Sequence, residues 1–344
     1  KMLHLNLFAS HAIPLIFAYG SLVVLISMIR VWTPHISLED HRLNSVQQEE
    51  FLNVSRLKHH SLQAKFPSQS PSRDLAITIV TANRAQPYIH AVLGSLSDAY
   101  GVDLPPVTLC CVESQSYGEI EQLGRERWSV VEINKDQSFN TSVLSLRIAK
   151  ETADYWKCLN LTRNSEARYT LLLEDDVFVH DRFRGMVESL IYQMDTTSSD
   201  VDYAKLYHIN RLRHISSMPQ IIAVSLLLSS LLHWLLAPRP VLTLIGYLIL
   251  LIHLNNQGNL FPADFRFSLT DSVYLTMSES CCTPAVFFRT ASIPVIVDAL
   301  IHESSFAGHA KDHILDESRF VGRETDFNLV SHIGLISSLR RNQP

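Results

Sequence analysis

Several enzyme signatures are missing from this sequence. No Gly-x-Gly-x-x-Gly follows the first strand-like run, which argues against a nicotinamide-binding loop, and no Gly-Lys-Ser/Thr is present to form a P-loop. The five cysteines, Cys110, Cys111, Cys158, Cys281 and Cys282, lack the Cys-x-x-Cys spacing of a zinc site. Their odd number leaves at least one without an intramolecular partner, and one of Cys110/Cys111 or Cys281/Cys282 could pair with Cys158. Charge is also scarce, at 18% of 344 residues. Lys+Arg number 29 against Asp+Glu 34, for a net charge of −5, which gives no basic field for wrapping nucleic acid.

Mean hydropathy is slightly positive, and the apolar residues are concentrated in a few segments. Ala12 to Val31 carries no charge before Arg30 and has about the ~20 residues needed to cross a bilayer, so it reads as an uncleaved anchor. Ile221 to Ala237 and Val241 to Leu254 flank Pro238-Arg239-Pro240, where proline stops one helix and starts the next. They read as a membrane hairpin with Arg239 at its tip, because neither arm shows the polar stripe of a helix packed on one face. A hairpin returns the chain to its starting side. The triplets at Asn53, Asn140 and Asn160 have the form of glycosylation acceptors and suit a secretory lumen.

The expected organisation is an anchor over 1–32, a polar stem over 33–72, a catalytic body over 73–217 and 256–344, and a hairpin over 218–255. Within the body, Leu75 to Thr81, Val107 to Val112, Ser129 to Ile133 and Tyr169 to Leu173 read as strands. Helices at Tyr88 to Tyr100 and Thr141 to Leu159 separate them, a pattern that predicts an α/β fold with a parallel sheet covered on both faces. After the hairpin, Val273 to Cys282 and Ala285 to Arg289 precede a helix near Ile293 to His302 and a further helix or turn that begins at Lys311 to Glu317.

The run Leu171-Leu172-Leu173-Glu174-Asp175-Asp176 ends a buried strand with three adjacent acids. Glu174 and Asp176 are two residues apart and share a face in an extended backbone. Carboxylate oxygens so placed suit a hard cation that bridges phosphates. In a parallel sheet ligands bind beyond the carboxyl ends of the strands, where Thr81 to Arg84, Glu113 and Glu174 to Asp176 all fall. His332 adds an imidazole as a further possible metal ligand.

A strand ending in Glu174-Asp175-Asp176 and a tail His332-Ile333-Gly334-x-x-Ser337-Ser338 resemble metal-dependent GT-A glycosyltransferases, and the tail looks like that of the branching N-acetylglucosaminyltransferases. The hairpin inserted into a catalytic domain narrows the resemblance to the Golgi N-acetylgalactosaminyltransferases that act on glycosylphosphatidylinositol (GPI) glycans. That resemblance implies a Rossmann-like GT-A fold, UDP-GalNAc as donor, a mannose of the GPI glycan on anchored proteins as acceptor, Mn²⁺ or Mg²⁺ as cofactor, and a bilayer as neighbour. It implies Asp176, Glu174 and His332 at the metal, and Thr81, Arg84, Glu113, Glu174 and Asp175 at the donor. Lys150 and Asp154 join the donor side, although a Lys and an Asp four apart on a helix are ordinarily a surface ion pair. Inversion of configuration requires a general base, for which Asp312 is the choice, with Glu303 behind it. The triplet begins with Glu rather than Asp, which leaves the ligand set open. Two other readings compete: a lumenal N-acetylglucosaminyltransferase acting on N-glycans, and a non-catalytic membrane scaffold that retains the fold.

Overall fold

The computed structural model describes residues 18–23, 45–65, 73–84, 86–126, 128–140, 142–208, 217–236, 240–256, 266–267, 269–278, 282–304 and 308–334. The elements in chain order are α1 (Ser45–Lys65), β1 (Leu75–Thr81), α2 (Tyr88–Tyr100), β2 (Val107–Cys111), α3 (Gly118–Arg125), β3 (Ser129–Glu132), α4 (Leu144–Asn160), β4 (Tyr169–Glu174), β5 (Val177–Val179), α5 (Phe183–Thr196) and β6 (Tyr203–Lys205). Then come α6 (Ser217–Leu236), α7 (Pro240–Asn256), β7 (Leu275–Met277), β8 (Ala285–Arg289), α8 (Ile293–Glu303), α9 (Lys311–Glu317), β9 (Gly322–Thr325) and β10 (Val330–His332). The chain divides into two units, one of His41–Ile209 with Val273–Pro344, the other of Lys1–Asp40 with Asn210–Ser272.

The larger unit is built on an eight-stranded sheet of order β3-β2-β1-β4-β8-β6-β9-β7. Strands β3, β2, β1 and β4 are parallel, as the strand–helix alternation predicts. The second half departs from that expectation: β8 runs antiparallel to both β4 and β6, and β7 antiparallel to β9, while β6 and β9 are parallel. The sheet is therefore mixed: the chain between β6 and β8 carries the inserted hairpin and β7 rather than the lone crossover helix that joins parallel neighbours. Tyr169 to Leu173 of β4 are all buried, the continuous apolar run of a strand covered on both faces. Leu172, Val286 and Phe288 pack under Tyr155 and Leu159 of α4, Ile296 and Leu300 of α8, and Ile314 of α9. A disulfide joins Cys110 of β2 to Cys158 of α4, and Cys111 stays a buried free thiol.

The described part of the stem, α1, is packed onto the body rather than left free. Leu52 is buried with Tyr88 and Ala91 of α2, and the absence of a side chain at Gly94 lets the Ser55 carbonyl approach, since a Cβ there would sit 3.3 Å from it. His59 and His90 meet Nδ1 to Nδ1 at 3.0 Å in the same contact.

A two-stranded antiparallel ribbon pairs β5 with β10, His332 opposite Val177. Because β5 begins directly after Asp176, this register carries the C-terminal His332-Ile333-Gly334 segment to the acidic triplet. Ser337, Ser338 and Arg239 lie outside the described residues.

In the smaller unit, α6 and α7 pair as a helical hairpin and residues 18–23 pack against them through Tyr19, Ile221, Leu250 and Leu254. Polar groups turn inward: Ser225 and Ser229 are buried, and His233 Nδ1 lies 2.8 Å from Thr243 Oγ1 of the other helix. Apolar side chains turn outward, with Leu227 69%, Trp234 78% and Val241 66% exposed. Among the described residues no helix is long and apolar enough to cross a membrane. The hairpin arms expected as membrane spans are therefore not confirmed as spans; the 17 residues of α7 rise about 25 Å against the ~30 Å of a hydrocarbon core. Of Ala12 to Val31, only 18–23 is described.

Candidate active site

The acidic triplet leaves the sheet at the carboxyl end of β4, next to the ends of β1 and β2. Two cations hold it in place. Arg84, on the turn after β1, places Nε 2.9 Å from Asp175 Oδ1 and Nη1 2.5 Å from Asp176 Oδ2. Lys311, the first residue of α9, extends its ammonium to Glu174 Oε1 at 2.7 Å and Glu151 Oε1 at 2.6 Å. Asp175 also accepts the Ala82 backbone N–H at 2.9 Å, which ties the triplet to the end of β1.

His332 Nε2 lies 3.1 Å from Asp176 Oδ2, and the Ile333 N–H donates to the Asp176 carbonyl at 2.8 Å. Gly334 completes the contact. A Cβ on it would fall 2.9 Å from Asp176 Cγ and nearer still to Oδ2, so the carboxylate occupies the space a side chain would need. The physical content of the His-Ile-Gly run is therefore an imidazole on Asp176, a backbone bond to it, and a gap that admits its side chain.

Electrostatics follow burial and pairing. Burial pushes Asp175 above the usual carboxylate range despite Arg84. Burial acts the same way on Asp176, but His332 and Arg84 outweigh it and hold that carboxyl below its ordinary value. Burial works against the charge on His332 and Lys311, yet Asp176 raises the former and Glu151 with Glu174 the latter.

Glu174, Asp176 and His332 offer ligand atoms that all lie within 4.8 Å of one another. Among the described residues Asp176 Oδ1 is buried without a hydrogen-bond partner, a carboxylate oxygen open to a ligand. Two carboxylates and one imidazole are a donor set that can hold a divalent cation, so the residues fit a metal site without selecting its ion. Beside them a cavity of about 290 Å³ is lined by Glu174, His332, Asp312, Lys311, Thr283 and Tyr207, among others.

The structure brings most of the sequence-derived residues to this edge. Thr81 Oγ1 pairs with the Tyr117 hydroxyl at 2.9 Å, and Glu113 Oε1 accepts the Asn83 N–H at 3.1 Å, so the ends of β1 and β2 form one polar rim. Arg84 is on that rim but its guanidinium is committed to the acids. Asp312 lines the cavity from the first turn of α9. Lys150 and Asp154 are set back from it: they pair at 2.6 Å, and Asp154 also accepts from Asn134 at 2.6 Å, in a buried network behind the end of β2. Glu303, at the end of α8, contacts His302 and His309 and does not line the cavity.

Sequence reasoning missed Lys311, Glu151, Tyr117 and Thr283. Lys311 carries no local signal, because its counterions Glu151 and Glu174 lie far back along the chain.

A family model described as GPI-N-acetylgalactosamine transferase PGAP4 matches residues 75–330, from the first residue of β1 to the first of β10. That stretch spans every strand of the large sheet and the inserted helical pair. The chain belongs to the GPI-N-acetylgalactosamine transferase PGAP4 family.

Proposed function

We propose that this chain transfers N-acetylgalactosamine from UDP-GalNAc to a mannose hydroxyl of the GPI glycan on anchored proteins, with net inversion and with a divalent cation. The observation that carries the reading is the convergence of Glu174, Asp176 and His332 beside a cavity that also holds an acid, Asp312. Glu174, Asp176 and His332 would hold that cation, which would supply positive charge against the diphosphate of the leaving UDP. The protein's own residues do the rest. Arg84 and Lys311 hold the triplet in one arrangement, so little reorganisation is needed when charge develops. Thr81, Glu113 and Tyr117 form the rim for the nucleoside. Asp312 takes the proton of the mannose hydroxyl as its oxygen bonds to the sugar C1 and the C1–O bond to the β-phosphate breaks.

The inside-out hairpin supports a membrane setting. Buried serines, an interhelical His–Thr bond and an apolar exterior are the pattern of helices that face lipid, and we place α6, α7 and residues 18–23 in a Golgi bilayer with the catalytic unit in the lumen. Chain connectivity then keeps the catalytic unit near the surface that holds its lipid-anchored acceptor, which raises the local concentration of each for the other. The test is a donor screen: full-length protein in detergent with Mn²⁺, a panel of UDP-sugars and a GPI-glycan acceptor, read by mass. UDP-GalNAc should add one N-acetylhexosamine; transfer from a different donor, or from none, refutes the proposal.

A further inference from the structure

Thr283 stands one residue before Pro284, whose carbonyl accepts the Glu174 N–H at 2.8 Å, so the β4–β8 pairing sets it next to the acidic triplet. It lines the cavity, is only 4% exposed, and its hydroxyl oxygen is buried without a hydrogen-bond partner among the described residues. An unpaired buried hydroxyl costs on the order of 1–3 kcal/mol, so natural proteins keep few of them, and one on a cavity wall is suited to bond a ligand. The same cavity is lined by the apolar Pro284, next to Thr283 in the chain, and by Ile148. At about 290 Å³ the cavity falls at the small end of ligand sites, room for one sugar ring rather than a whole nucleotide sugar.

We infer that this cavity is the subsite for the transferred sugar and that Thr283 is a specificity-determining residue which reads its 2-acetamido group: the hydroxyl donates to the amide carbonyl while Ile148 and Pro284 take up the methyl. An acetamide presents a strong neutral acceptor beside a small apolar group, and this wall presents a neutral donor beside small apolar surface. A carboxylate or ammonium in the place of Thr283 would instead select a charged substituent. Nothing in the metal cluster distinguishes one UDP-sugar from another, so discrimination has to come from a wall of this kind. The inference rests on the proposed function and adds to it which residue selects the N-acetylated donor.

The test uses the full chain with Thr283→Val, which keeps the shape and removes the hydroxyl, and Thr283→Ser, which keeps the hydroxyl. Transfer is measured with UDP-GalNAc and UDP-galactose, and UDP binding by calorimetry. The valine variant should lose about tenfold in kcat/KM for UDP-GalNAc, the worth of one neutral hydrogen bond, with UDP-galactose turnover and UDP affinity changed less than twofold, and the serine variant should stay close to wild type. Equal slowing of both donors, weakened UDP binding, or a valine variant as selective as wild type overturns the assignment. Wild-type protein that binds UDP but transfers neither sugar refutes the proposed function, and the subsite falls with it.

Discussion

Gly334→Ala is the smallest change that reaches the acidic cluster without touching an acid. The backbone at this glycine does not lie in the left-handed region, so alanine meets no conformational penalty. The whole effect is steric, since the new methyl would overlap the Asp176 carboxylate. Relief to ordinary van der Waals separation needs a shift of roughly 1 Å, either of the carboxylate or of the His332-to-Gly334 segment, and misplacement on that scale costs about 100-fold in rate. Overpacking of this kind costs about 1–3 kcal/mol of stability, which leaves the fold intact. Turnover of UDP-GalNAc at saturating donor and acceptor should therefore fall about 100-fold while thermal unfolding moves by a few degrees. Gly185→Ala is the control: no atom lies within 4 Å of its Cβ position near the start of α5, and it should be neutral or slightly stabilising. A Gly334→Ala enzyme within twofold of wild type would refute the argument that Asp176 fills that gap, as would activity lost only in step with unfolding.

Asp176→Asn keeps the shape but removes the charge shared by Arg84 and His332, and should abolish transfer while chelation of the wild type is reversed by Mn²⁺; chelator-resistant activity would exclude the metal role. The buried His59–His90 pair makes the α1 contact sensitive to acid. Burial lowers both, to about 3 and about 4, with Arg56 and His60 adding to the effect and Glu126 opposing it at His90. The unfolded chain then binds more protons below pH 6.5, so this stability is complete above that value and is lost as pH falls, at up to about 1.4 kcal/mol per unit for each imidazole. Melting of His90→Gln between pH 7.5 and 5.5 should show a shallower slope than wild type, and an equal slope would remove the pair from the account. Replacing Cys110 and Cys158 with alanine opens a loop of 48 residues in sequence and should cost about 4 kcal/mol, read as a lower denaturation midpoint. Leu227→Arg on the exposed face of α6 should weaken recovery with lipid vesicles and leave turnover in detergent unchanged; unaltered vesicle binding would argue against lipid contact there.

The residues that could be read from sequence are those whose role is local. Leu75 to Thr81 and Tyr169 to Leu173 are apolar runs that can only be buried strands, and a strand end fixes where its next residues emerge, so the Thr81, Glu113 and Glu174 edge followed from them. What stayed hidden depends on partners far along the chain. The reversal of β8 is set by pairing across the inserted helices, and neither Ala285 nor Phe288 carries a sign of direction. Arg84, which follows β1 and which the resemblance places at the donor, has its guanidinium taken up by two acids about ninety positions later. Lys311 is 9% exposed because Glu151 and Glu174 neutralise it, and no local pattern announces a cation with two distant counterions. Asp312 ranks ahead of Glu303 on sequence position, and the packing of α8 against α9 agrees in setting Asp312 and not Glu303 on the cavity wall.

Strand β4 occupies the middle of the finished sheet, yet its neighbour β8 is encoded more than a hundred residues downstream. At synthesis rates of about 5–20 residues per second, a nascent chain carries that unpaired, strongly apolar flank for on the order of ten seconds. Until the ribosome delivers β8, the flank is a template for wrong pairing with any other extended segment. Truncations or pauses in the stretch that follows Lys205 should therefore generate aggregation-prone fragments that quality control removes, even though the first four parallel strands are already complete.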